Sequence, residues 1–296
     1  MASTSSKSIR TRIVAIIAAA IAIAAILATI SIARHQQTQA QTTTATNVVK
    51  IGTDSDSYDD LWDAANQELA ATGSNVRVQL VKMDGGIIGK ALQQGEIDLA
   101  LAGHYAFFNY LVQKGHYDFQ PFAETFIQPL NVYSDKVKNV DQLKDGDKIA
   151  IPSDVTNQGR ALKVFESAGL ITVDPSKGNF AAVADITSNP HHLEFVGVSA
   201  YQVPQQLPDV AAGVIPAEIA LDAGLHPSKD AIYAVPVHTD DVYNKPWINV
   251  IAGRSGEGDD PRYQAAIKAY GSERVSQVIA KNHPDDIIPT FKDLEV

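Results

Sequence analysis

Apolar and polar positions along this chain change period repeatedly, from 2 to about 3.6 and back, the pattern expected where strands feed helices. Val48 to Gly52 forms a short apolar run, Thr53 to Ser57 is polar, and Leu61, Trp62, Ala65 and Leu69 then recur at helical spacing. Val76–Val81 and Ile97–Ala102 predict further strands, and Phe126–Tyr133 is an extended run interrupted by Pro129. Between Lys148 and Ile171 an alternation through Ile149 and Ile151 gives way to Ala161, Leu162, Phe165 and Ala168, which predicts a strand, a turn and a helix. Phe180–Ile186 and Leu193–Val198 read as alternating helix and strand patterns, and Val210–Ile215 as another apolar strand. Asn244–Ile251 reads as a return crossing into a strand beside the earlier ones, and Pro261–Ala280 reads as one amphipathic helix with Ile267, Tyr270, Val275 and Ile279 inward. Strands alternating with helices predict an α/β architecture.

The amino terminus stands apart. Residues 13–33 are an almost unbroken run of Ile, Ala, Val and Leu, long enough for a helix to cross a bilayer. Arg10 and Arg12 precede it, which predicts a cytoplasmic segment 1–12, an anchor at 13–33 and everything beyond on the outside. The alternative is a cleaved signal peptide, with Ser31 and Ala33 as its small residues, against which the length of the run argues. Residues 34–47 are Thr- and Gln-rich without period and read as a flexible spacer.

Composition narrows the function classes. The chain has 296 residues, 45% of them hydrophobic, enough for two lobes. Its formal net charge is −10 and its only basic cluster, Lys7, Arg10 and Arg12, abuts the apolar run, so no nucleic-acid surface is expected. With no cysteine there is no disulfide, no thiolate metal site and no cysteine nucleophile.

The richest chemistry follows Ile151. Asp154, Thr156 and Asn157 are helix-capping residues, Gly159 allows close approach of a ligand, and Arg160 is placed in the first helical turn. A ligand carboxylate there would meet backbone N–H donors, the positive end of the helix dipole and a guanidinium fork. The alternative is a capped helix with a solvated arginine. His104 and Phe107, at the end of a predicted strand, read either as packing residues or as part of a binding wall. Asp84–Lys90 is no phosphate-binding loop, because Asp84 stands where glycine is required and Ala91 where Ser or Thr would hold magnesium. The sequence has no GxSxG or HExxH motif, and His191-His192 lies in a polar loop without an evident carboxylate set, so neither catalysis nor a metal is expected.

Several segments together resemble one family. The Thr156–Leu162 turn, Glu96-Ile97-Asp98 with His104, and Glu124-Thr125-Phe126 leading to Tyr133-Ser134 come first; Asp185–Pro190, Gln202-Val203-Pro204 and Ala223-Gly224-Leu225 follow. In that order, over residues 48–296, they are similar to the landmarks of the NlpA/MetQ family of substrate-binding proteins of methionine-uptake ABC transporters.

The resemblance implies a two-lobed periplasmic-binding-protein-like fold of type 2, with two crossover strands and a ligand cleft between the lobes. Residues 48–130 and 243–296 would form lobe 1, and 131–242 lobe 2. It implies an amino-acid ligand, methionine or a relative, whose carboxylate meets Arg160 beside Asn157. His104 and Phe107 match a family His and aromatic, with Phe where Tyr is usual, and Asn249 matches a position near the ligand. Tyr58 and Trp247 would shape the side-chain pocket. Pro216 and Glu218 replace a common Asn-x-Asn motif, so Glu218 would either hold the ligand's ammonium or only answer a helix dipole. Partners would be the membrane and an ABC permease with its ATPase, with no cofactor. The lipid-acceptor cysteine of the family is missing, and a helical tether would replace it. The alternative is a ligand-free or peptide-binding interaction protein on the same scaffold.

Overall fold

The computed structural model describes residues 47–54, 56–235 and 244–293. The predicted anchor at 13–33, its basic flank and the spacer up to residue 46 lie outside the described residues. Among the described residues no helix is long and apolar enough to cross a membrane.

The first half of the chain alternates as its pattern predicts: β1 (Asn47–Thr53), α1 (Asp59–Ala71), β2 (Val76–Lys82), α2 (Gly85–Gln94), β3 (Leu99–His104) and α3 (Tyr105–Gly115). β4 (Phe119–Ile127) and β5 (Leu130–Tyr133) are separated only by Gln128 and Pro129. There the chain passes from one sheet to another, because proline cannot donate to a ladder. β6 (Lys148–Pro152), α4 (Val155–Ser167), β7 (Thr172–Val173), β8 (Ile186–Ser188) and β9 (Glu194–Val198) follow. Then come α5 (Val203–Gln206), β10 (Ala212–Pro216), α6 (Ala217–Asp222) and β11 (Ala231–Tyr233). β12 (Ile248–Arg254), α7 (Pro261–Tyr270), α8 (Glu273–Asn282) and β13 (Ile288–Asp293) complete it.

Two mixed sheets result. The six-stranded one runs β13-β4-β12-β3-β1-β2 and the five-stranded one β11-β5-β10-β6-β9; β7 and β8 pair separately. In the first sheet β1 lies parallel to β2 and β3, and β12 returns antiparallel to β3, with Asn249 opposite His104. In the second, β6 is parallel to β9 and β10. β10 is buried along its whole length, as a central strand covered on both faces must be. The first sheet packs one face on α1, α7 and α8 through residues such as Ile51, Leu61, Ile267 and Val275, and the other on α2 and α3 through Ile88, Leu92 and Phe108. Trp62 and Tyr270 meet with ring centroids 4.4 Å apart at the α1–α7 seam.

Three local readings need correction. Pro261–Ala280 is two helices, broken where Gly271 ends one and Ser272 turns extended to begin the next; both keep the apolar period because both lie on α1. Phe180–Ile186 contains no α-helix but short 3₁₀ turns at Pro175–Phe180 and Val183–Asp185, forced by Pro175 and by Gly178 at φ 55°. Arg160 is the sixth residue of α4, not part of its first turn, because Asp154 already caps the helix by accepting from Asn157 N at 2.9 Å.

Candidate functional site

The parallel strands of both sheets end at one cavity, of about 280 Å³. Asp54 follows β1, His104 ends β3, Asn157 and Arg160 lie just past β6, and Glu218 just past β10; ligand sites of open α/β sheets form at such strand ends. Tyr58, His104, Phe107, Asn157, Arg160, Glu218 and Asn249 all line it. Trp247 is not in the wall. It sits one layer behind, edge-on to His104 at 5.1 Å and under the Arg160 guanidinium at 5.0 Å.

Arg160 is 9% exposed and makes no ion pair among the described residues. Its Nη2 donates to the Gln128 carbonyl at 2.7 Å, so the segment joining the two sheets holds the guanidinium in place. Burial alone pulls this arginine down to about 9. A buried charge lacking a counter-charge is a standing cost that an incoming anion relieves.

His104 caps α3. Its Nδ1 accepts from Phe107 N at 3.1 Å, which leaves the proton on Nε2, and Nε2–H faces Asn157 Oδ1 at 3.3 Å. Asn157 in turn donates to Asp154 Oδ2 at 3.2 Å. Burial, with the Arg160 guanidinium close by, lowers the imidazole to about 4, so the ring is a neutral link between the two sheets at physiological pH. Asn249, 7% exposed, donates from Nδ2 to Phe126 O at 3.2 Å.

At the opposite side, Gln128 Nε2 donates both to Tyr58 Oη and to Glu218 Oε2, at 2.6 Å each. Burial, opposed by that hydrogen bond and reinforced by Asp54 and Asp222, lifts Glu218 to about 7. Glu218 also stands in the first turn of α6, so the dipole-facing position and the cavity-facing position coincide.

Two expectations change here. Gly159 does not open space for a ligand: a methyl group on it would stand 2.3 Å from Asn179 O, so this glycine admits the 175–180 turn against α4. His192 does meet a carboxylate, Asp145 Oδ1 at 2.6 Å, but both side chains are solvent-exposed. Sequence reasoning missed Gln128, whose signal was a single polar residue inside the apolar run Phe126–Leu130, and the wall residues Asp54 and Tyr201.

The cavity, the two sheets and the doubled crossing define an α/β periplasmic-binding-protein-like fold, and comparison with known proteins agrees. The NlpA lipoprotein family profile matches residues 49–291, and the chain belongs to that family. The D-methionine-binding lipoprotein MetQ of Salmonella typhimurium is 30% identical over 238 residues, 79% of this chain and 85% of that one. Among solved structures, protein PG110 from Staphylococcus aureus superposes with a TM-score of 0.75 at 32% identity, covering 83% of this chain and 95% of that one. A nutrient binding protein from Burkholderia cenocepacia bound to methionine gives 0.73 at 30% identity, covering 83% and 100%.

Proposed function

We propose that this chain is the extracytoplasmic solute-binding component of an ABC transporter that imports an amino acid, methionine or a close relative. The observation that carries the reading is the buried Arg160 guanidinium, free of any carboxylate among the described residues, facing a small cavity whose other side holds Glu218. A zwitterion completes both ends: its carboxylate sits on Arg160 and its ammonium at Glu218, with Asn249 and Asn157 as flanking amides and Tyr58, His104 and Phe107 as the wall for its side chain. Trp247 holds Arg160 from behind. The names of MetQ and of the methionine-bound Burkholderia protein support methionine as the first ligand to test.

Residues 48–130 and 243–296 act as lobe 1 and 131–242 as lobe 2, hinged at Gln128-Pro129 and at the return into β12. Ligand contacts to both lobes favour the closed form, which docks on a permease coupled to an ATPase. No covalent step is involved. Residues 13–33 tether the domain to the membrane, with 34–47 as spacer. Calorimetry against the protein amino acids and both methionine enantiomers tests the reading. Saturable one-to-one binding of at least one is the expected result; none binding any would favour the ligand-free interaction protein.

A further inference from the structure

The charges around the cavity do not balance. Of its acidic wall residues, Asp59 is paired with Lys82, and Asp154 is taken up by the amide nitrogen of Asn157 and the Thr156 hydroxyl at 2.9 and 3.1 Å. Asp54 and Glu218 remain, and neither makes an ion pair among the described residues. They come from different sheets: Asp54 directly follows β1, and Glu218 stands just beyond β10. The Asp54 carboxylate lies over the start of α2, close enough that a methyl on Gly85 would be 2.8 Å from Asp54 Oδ2. Both carboxylates also border a wider acidic mouth with Asp56, Asp222 and Tyr201. Against them the wall offers, among the described residues, one cation, Arg160, which the functional reading gives to the ligand's carboxylate.

Two carboxylates that line one cavity, one from each sheet, repel each other unless a cation lies between them. Both are held above their ordinary values, Asp54 by burial and by nearby Asp84 against its own backbone hydrogen bond and Lys82, and Glu218 by burial together with Asp54 and Asp222 against the Gln128 hydrogen bond. A primary ammonium has three N–H donors, enough to serve carboxylates on both sides at once.

We infer that Asp54 and Glu218 form a clamp, one jaw from each lobe, that closes on a single primary ammonium and so selects ligands with a free amine. The inference rests on the functional reading above and adds Asp54 to it as a specificity-determining residue. N-acylated ligands, which present a neutral amide to two carboxylates, are rejected. The same ammonium links the lobes, so cleft closure depends on it.

The test is calorimetry of wild type and Asp54→Asn with L-methionine, N-acetyl-L-methionine and 4-(methylthio)butanoate, the last being methionine without its amine. The expected result is methionine binding by wild type, at least about 100-fold weaker binding of the other two, and a loss of about 10-fold or more for methionine in Asp54→Asn, with the deaminated compound unaffected or improved. Equal methionine affinity in the variant, or equal loss for methionine and the deaminated compound, overturns the clamp. Wild type that binds the deaminated compound as tightly as methionine overturns the clamp and leaves the Arg160 role standing. Wild type that binds none of the three overturns the methionine reading and the clamp together.

Discussion

The guanidinium of Arg160 donates to the main-chain carbonyl of Gln128 at 2.7 Å, and Gln128 is one of only two residues between β4 of one sheet and β5 of the other. The charge proposed to receive the ligand is therefore fastened to the segment that joins the two sheets. The Gln128 side chain reaches Tyr58 from one sheet and Glu218 from the other at 2.6 Å each, so one residue touches both charged ends of the cavity.

Replacing Arg160 by alanine removes the one cation of the cavity wall among the described residues and leaves a bound carboxylate buried and unpaired, which costs about 3–5 kcal/mol, on the order of 100-fold or more in affinity. Arg160→Lys is expected to fail as well, because an ammonium cannot hold the Gln128 carbonyl, stay over the Trp247 ring and meet a carboxylate bidentately. Calorimetry checks both, with thermal unfolding to show that the variants fold.

Amino-acid affinity is expected to fall as pH drops through about 7. Glu218 in the empty cavity ionises near there, burial being the main cause, with Asp54, Asp222 and the Tyr58, Tyr201 and Gln128 side chains around it. Below that value it is protonated, and an ammonium must displace the proton before it can bind. Glu218→Gln is expected to bind more weakly at pH 8 and to lose most of this pH dependence. Titrations between pH 5.5 and 8.5 measure it; His104, lowered to about 4, contributes nothing over that interval.

A second histidine is expected to act on stability rather than binding. His283 lies between Asp286, at 2.9 Å, and Asp60, at 3.0 Å, tying the segment before β13 to α1 behind Tyr58. Burial works against its charged form, but the two carboxylates prevail and raise it above its ordinary value. A group raised on folding gives its full stabilisation below the unfolded value near 6.5 and loses it as pH rises through the folded one. The melting-temperature gap between wild type and His283→Gln is therefore expected to be widest near pH 6 and to narrow toward pH 9.

Gly159→Ala tests whether this glycine serves packing or ligand approach. The added methyl would sit 2.3 Å from Asn179 O, a backbone atom that cannot swing aside, so a loss of about 1–3 kcal/mol is expected. That is a fall of about 2–12 °C in melting temperature for a domain of this size. Amino-acid affinity in the folded fraction should change little. A variant as stable as wild type would contradict the packing role.

Much of this architecture is written locally. The strand–turn–helix from Lys148 onward is legible because its period changes sharply at Asp154, and β1 and α1 for the same reason. What failed were breaks that leave the period intact: Gly271-Ser272 interrupts a helix without moving its apolar face, because both pieces lie on α1. The pocket residues nearest a strand end, His104, Asn157, Arg160 and Glu218, could be placed from their position after an apolar run. Gln128 could not, since its role arises from Tyr58 and Glu218, which meet it only through long-range folding; Asp54 also follows an apolar run, but the second carboxylate that lines the cavity with it, Glu218, comes from the other sheet. Trp247 read as part of the wall because an aromatic beside a crossing resembles one; only the stacking of Arg160 on its ring shows it to be a support.

The most direct measurement is a crystal structure of the protein grown with the amino acid it binds most tightly. The account predicts that the ligand's carboxylate lies within hydrogen-bonding distance of the Arg160 guanidinium and its ammonium beside Glu218, with both sheets in contact with it. A ligand whose carboxylate points away from Arg160, or one bound outside the space between the sheets, would contradict it.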